Sequence, residues 1–190
     1  TYSDGSASLA VMARACRERG YRYMAVCDHS RTAFYAGGLD MEAVRRQHDE
    51  IDALNAALAP FRVLKGIESE ILRDGSLDYP DDFLERFELI VASIHSSFQM
   101  PRAEMTARMV RAVRHPLVDV VGHPTGRLVL GRSGYQVDLE ALIEEAARTG
   151  TALELNASPS RLDLDASGCR RARERGVPVA IDPDSHAVDG

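Results

Sequence analysis

Four of the six histidines, His29, His95, His123 and His186, stand just after short apolar runs, as do Glu68 and Asp184. Asp28 and His29 follow run 22–27, Glu68 follows 62–67, and His95 follows 88–94. His123 follows 118–121 after Gly122, and Asp182, Asp184 and His186 follow 177–181. Run 151–155 ends in Asn156, whose amide can hydrogen-bond a neighbouring ligand. Any one of these side chains alone is more often a hydrogen-bonded structural residue than a ligand. Their shared register points instead to one pocket. Imidazoles mixed with carboxylates suit Zn²⁺, Mn²⁺ or Fe. Cys16, Cys27 and Cys169 are far apart and form no CxxC pair, so neither a thiolate zinc site nor a disulfide framework is expected. They read as small apolar filler.

The register needs elements that place every run end on one side. Helical spacing covers 7–19, 40–58, 102–114, 138–149 and 165–175, with a short helix at 81–86 after Pro80. Asp40 is an expected N-cap, and Gly20, Gly150 and Gly176 are expected stops. The six apolar runs alternate with these helices as short strands, which predicts a parallel sheet covered on both faces. In a parallel barrel the C-terminal strand ends share one rim, where barrel enzymes place their chemistry. His48 falls inside a helix and His115 in a helix-ending His-Pro, so neither is expected at that rim. Arg127 and Arg161 fall in loops beyond strand ends, where a guanidinium fork suits a phosphate or a surface salt bridge. Asp28, beside His29, is expected to fix an imidazole tautomer.

Composition narrows the class. The 190 residues suffice for one domain, residues 1–190, with a full core. With 45% hydrophobic and 27% charged residues the chain reads as globular, and no run approaches the ~20 apolar residues of a membrane span. A net charge of −6 excludes holding DNA by bulk electrostatics, so any contact must be local or belong to another domain. No signal peptide is read, and the expected compartment is a reducing cytoplasm. The polar start Thr1-Tyr2-Ser3-Asp4-Gly5, without Met, suggests a true start further upstream.

Several motifs carry a family resemblance. Thr1–Gly5 resembles the tail of the first motif of the PHP superfamily, in which a His-x-His pair stands just before. Cys27-Asp28-His29-Ser30 is similar to the second motif. Gly66-Ile67-Glu68, Ser93-Ile94-His95-Ser96, Gly122-His123-Pro124 and Asp182-Pro183-Asp184-Ser185-His186 resemble the later ones. Gly75–Pro80, Gly122–Arg127 and Glu154–Leu164 look like the PHP domain of bacterial family X DNA polymerases.

The resemblance implies an α/β fold, a distorted (β/α)7 barrel here lacking its first strand and C-terminal end. It implies two or three divalent metals. Glu68, His95 and His123 would hold one, Asp4, His29 and His186 another, and Glu68 with Asp184 a third. Glu68, His95, His123 and Asp184 would form the catalytic group, Arg127 and Arg161 would bind phosphate, and Asp28 and Asn156 would support the ligands. The implied activity is phosphoester hydrolysis at DNA 3′ ends, with polymerase modules as partners in the same chain. A histidinol-phosphatase-like enzyme for a small phosphate ester and an inactive module supporting a polymerase are the alternatives.

Overall fold

The computed structural model describes residues 1–189. Six parallel strands form one sheet in chain order: β1 (Tyr23–Val26), β2 (Arg62–Glu70), β3 (Leu89–Ser93), β4 (Val120–Val121), β5 (Ala152–Asn156) and β6 (Val179–Asp182). The register runs through Ala25↔Leu64, Glu68↔Val91, Val120↔Ala152 and Asn156↔Asp182. The sheet curls strongly: although β1 and β6 are its opposite edges, the His29 and His186 rings that follow them lie 6.5 Å apart. The result is an α/β half-barrel, with six of the seven strands the resemblance implied.

Among the described residues, α1 (Leu9–Glu18) precedes β1, and five helices connect the strands: α2 (Met41–Leu58), α3 (Asp81–Leu84), α4 (Arg102–Val113), α5 (Leu139–Thr149) and α6 (Ala166–Glu174). Three of them start on carboxylate caps. Asp40 accepts from Ala43 N at 2.7 Å, and Asp138 and Asp165 cap α5 and α6 in the same way. Each such cap contributes about 1 kcal/mol. Gly150 ends α5 at φ +82°, a conformation without a Cβ penalty. No helix is long and apolar enough to cross a membrane.

The helices bury two apolar layers against the sheet. Ile67, Ile71, Ile90, Ile94, Met105, Met109, Leu142, Ile143 and Leu153 belong to the larger one. Leu9, Val26, Ile51 and Val63 belong to a smaller one under α1 and α2. Each buried Leu, Ile or Met contributes roughly 1.5–3 kcal/mol. The edge strands leave apolar groups outside these layers: Tyr23 is 65% and Ile181 72% exposed. Ser6 N donates to His186 O at 2.8 Å, joining the N-terminal segment to the loop after β6.

One boundary differs from the sequence reading in a way that matters. β2 runs through Glu70, so Glu68 lies within the strand and not beyond it. The alternation of apolar Ile67 and Ile71 with Glu68 and Glu70 is a half-buried strand whose inner face is charged. That face reads as a loop until its carboxylates have partners. The sequence reading also lacks the 3₁₀ turn Phe34–Ala36.

Candidate metal centre

Glu68 is the hub of the rim. Its Oε1 lies 3.2 Å from His95 Nε2 and 3.1 Å from His123 Nε2, and its Oε2 lies 3.2 Å from His29 Nδ1. Asp4 Oδ2 sits 3.5 Å from His29 Nε2 and 3.3 Å from His186 Nε2. The His95 ring packs edge-on between His29 at 4.9 Å and His123 at 5.0 Å. Two groups could each close on one cation, Asp4–His29–His186 and His29–Glu68–His95, each with ligand atoms within 4.8 Å of one another. The first matches the expected trio. In the second, His29 stands where His123 was expected, although His123 also touches Glu68.

Asp184 sits beside these groups. Its Oδ2 accepts from Asn156 Nδ2 at 3.0 Å, and its Oδ1 lies 3.8 Å from His186 Nδ1. His48 packs against Phe87 and His115 reaches Asp81 at 3.2 Å, so both stand apart from the rim.

The electrostatics follow from these contacts. Burial pushes the Glu68 carboxyl up, but the hydrogen bonds from His123 and His95 outweigh it and hold the group well below the usual range. Burial lowers His95, but Glu68 and Glu70 on its two nitrogens raise it to about 9. His186 is raised, against burial, by the Asp184 carbonyl and by Asp4 and Asp184. Glu154 goes the other way. Burial and the neighbouring Asp182 push its carboxyl up to about 10, and burial also raises Asp182, so this pair holds a proton beneath the rim.

A cation fits this donor set. His29 Nδ1 and His123 Nδ1 are buried and have no hydrogen-bond partner among the described residues. Buried polar nitrogens are rarely left so. His29 Nδ1 faces the Glu68 carboxylate, the arrangement a shared cation would satisfy. Imidazoles and carboxylates favour Zn²⁺, Mn²⁺ or Fe. Cys27 is not a competitor, because burial raises its thiol strongly.

The supporting residues depart from expectation. Asp28 touches no imidazole ring. Its oxygens accept from Thr1 Oγ1, Ser3 N at 2.8 Å, Ser3 Oγ at 2.6 Å and Gln47 Nε2, which pins the segment carrying Asp4. The imidazole partner is Glu70, whose Oε2 lies 2.9 Å from His95 Nδ1. Arg108, with a side chain 0% exposed, stands behind Glu70 at 3.5 Å and bonds the carbonyls of Ile71, Leu72 and Ser96. Glu154 accepts from His123 N and helps to hold that residue at φ +27°. Glu70 and Glu154 were missed, although each stands two residues from a named strand residue, Glu68 and Asn156. Arg127 donates to the carbonyls of Arg161 and Leu162. Arg161 Nε lies 3.6 Å from Asp184, and its Nη1 is buried without a partner among the described residues.

Known proteins are similar to this chain in sequence and in fold. No protein-family model matches the chain. It is 48% identical over 189 residues to the DNA polymerase/3′-5′ exonuclease PolX of Bacillus subtilis (strain 168), covering 100% of this chain and 33% of that protein. It is 30% identical over 188 residues to a "Probable phosphatase" of Syntrophotalea carbinolica, covering 93% of this chain and 72% of that one. The chain thus spans a third of the polymerase and most of the phosphatase. The fold matches histidinol phosphate phosphatase from Lactococcus lactis, solved with zinc, L-histidinol and phosphate, at a TM-score of 0.66 and 13% identity, covering 98% of this chain and 83% of that one. With these relatives, the chain belongs to the PHP superfamily of polymerase and histidinol phosphatase domains, and within it is similar to the PHP part of bacterial family X DNA polymerases.

Proposed function

We propose that this chain is the phosphoesterase part of a longer polymerase-type protein and hydrolyses phosphodiesters at DNA 3′ ends. Residues 1–190 form one PHP domain of it. Two or three divalent cations, Mn²⁺, Zn²⁺ or Fe, are its cofactors. Asp4, His29 and His186 hold one, Glu68, His95 and His123 another, and Glu68 with Asp184 serves a third. The carrying observation is that six ligand-competent side chains, from the loops after four strands and the N-terminal segment, gather with Glu68 of β2 at one rim.

Cations bound there would neutralise phosphate charge and generate a nucleophile near neutral pH. The chain's own groups prepare for that. Glu68 stays ionised inside a buried site. Glu70 anchors His95 Nδ1, so that Nε2 faces the centre. His95, protonated at neutral pH without a cation, gives up that proton on loading. Asn156 orients Asp184. Arg161 has a buried free Nη1 to offer a phosphate oxygen, while Arg127, bonded to the loop, positions Arg161.

The 48% identity to PolX supports the DNA-end reading. The likeness to a phosphatase solved with L-histidinol and phosphate supports a second reading, a small phosphate monoester. The test uses the full-length protein reloaded with Mn²⁺, on 3′-labelled single-stranded DNA beside histidinol phosphate. His123→Ala should cut turnover about a thousandfold or more, the several kcal/mol of transition-state stabilisation lost with one ligand. His115→Ala should leave it unchanged. Equal activity of the two variants would sink the metal-centre reading. Preference for histidinol phosphate would replace DNA as substrate, and no turnover of either by wild type would leave an inactive supporting module.

A further inference from the structure

Phe34 and Tyr35 are 84% and 70% exposed, side by side on the loop that follows β1. Single exposed apolar residues are ordinary surface. This pair differs in two respects, its fixed backbone and its place.

The backbone cannot turn the rings inward. Ala33 and Ala36 on either side are buried. Thr32 is tied by its N and Oγ1 to Asp78 at 2.9 and 2.8 Å. Ala36 N donates to Ala33 O, Gly37 N to Phe34 O and Gly38 N to Ala33 O, which closes the 3₁₀ turn. Gly38 packs so tightly that an added Cβ would stand 2.0 Å from Ser30 O. The loop therefore presents two aromatic faces at little ordering cost, the condition for a preorganised contact.

Their place is the edge of the metal centre. The Tyr35 ring lies 6.2 Å from the His29 ring and 6.3 Å from the His95 ring. Phe34, its neighbour on the same turn, is the more exposed of the two. A phosphate held at the centre would bring the group attached to it within reach of these rings. An alkyl or small polar ester would leave them wet. A nucleotide would place a flat base there.

We propose that Phe34 and Tyr35 form a stacking subsite for the base of the terminal nucleotide of a single-stranded DNA end. The subsite rests on the phosphoesterase reading and adds to it the recognition of the base. Base–aromatic stacking is tolerant of sequence because every base has a π face. The subsite therefore prefers a nucleotide to an abasic end without selecting among bases.

The test compares two 3′-labelled oligonucleotides, identical except that one ends in deoxyadenosine and the other in a tetrahydrofuran abasic nucleotide. The full-length, Mn²⁺-loaded wild type should cleave the base-bearing end about ten- to a hundredfold more efficiently, mostly through KM. The Phe34→Ala/Tyr35→Ala double variant should erase that ratio and keep the wild-type rate on the abasic end. Tyr35→Phe should retain the preference. Equal cleavage of both ends by wild type would overturn the subsite, and so would a double variant slowed by the same factor on both ends, with the ratio kept. Selective loss of histidinol phosphate turnover would overturn the nucleobase in favour of an imidazole ring. A second measurement is independent of chemistry: quenching of a 3′-terminal 2-aminopurine on binding, present in wild type and lost in the double variant. If wild type hydrolyses nothing, the phosphoesterase reading falls, and this quench alone upholds or overturns the stacking.

Discussion

Arg108→Met keeps the apolar stem of a fully buried side chain out to the ε position, and removes the guanidinium and its charge. The guanidinium donates from Nε to Leu72 O at 2.9 Å and Ile71 O at 3.1 Å, and from Nη1 to Ser96 O at 2.9 Å. Its Nη2 lies 3.5 Å from Glu70 Oε1. Hydrogen bonds to a charged group contribute about 1.5–3 kcal/mol each, and breaking a buried ion pair costs about 3–5 kcal/mol. Some of these carbonyls are only partly buried, and water can replace the lost donor there. A loss of roughly 3–5 kcal/mol follows, a large share of the ~5–15 kcal/mol available to a domain. Urea unfolding of metal-free protein reads it directly.

A double-mutant cycle with Glu70→Gln then apportions the loss. Burial raises Glu70, and His95 and Ser96 are the main groups that pull it down again. Burial likewise depresses Arg108, with Glu70 opposing it. The Arg108–Glu70 contact is therefore the weaker link, and its coupling should be about 1 kcal/mol. A loss below about 1 kcal/mol in Arg108→Met would refute the reasoning that this arginine braces the rim. Strict additivity would show that it serves the carbonyls alone.

Gly38→Ala should lower stability by about 1–3 kcal/mol, because backbone and not a flexible side chain blocks the new methyl. Its melting temperature and its base-over-abasic preference should fall together, and an unshifted melting curve would contradict the pinned loop. Glu154 gives a pH dependence. Its carboxyl is raised to about 10, so the folded chain keeps a proton that the unfolded chain releases above about 4.3. Stability from this group is complete below the unfolded value and is lost as pH rises toward the folded one. Glu154→Gln mimics the protonated form, so metal-free variant should melt a few degrees above wild type at pH 8–9 and level with it near pH 4.5. Parallel curves across that range would count against the shared proton.

The strand-end histidines were legible because their signal is local. An apolar run, a polar residue and a helix repeat down the chain, and parallel topology converts that repeat into one rim. The half-barrel and the meeting of His29, His95 and His123 at one rim followed from it, whereas the grouping of Asp4 with His29 and His186 came from the family resemblance alone. Partnerships across long separations were not legible. Arg108 meets Glu70 across 38 residues, and Glu154 meets His123 across 31. Nothing in a single sequence distinguishes such carboxylates from solvated ones. Asp28 shows the converse error. Its adjacency to His29 suggested a contact, but neighbouring residues in an extended segment point apart, and its oxygens turn to Ser3 and Gln47.

The inner face of the half-barrel shows how environment decides the charge of like residues. Glu68 and Glu154 are both buried, and burial alone would neutralise each. Glu68 meets three imidazole nitrogens, of which those of His95 and His123 hold it ionised, whereas Glu154 meets another carboxylate and holds a proton. The negative charge is thus concentrated at the rim, where a cation can reach it, and suppressed one layer below. A carboxylate layer ionised throughout would repel itself without binding anything. The pairing of histidine with Glu68, and of acid with acid beneath it, is what leaves the charge of this half-barrel at the rim.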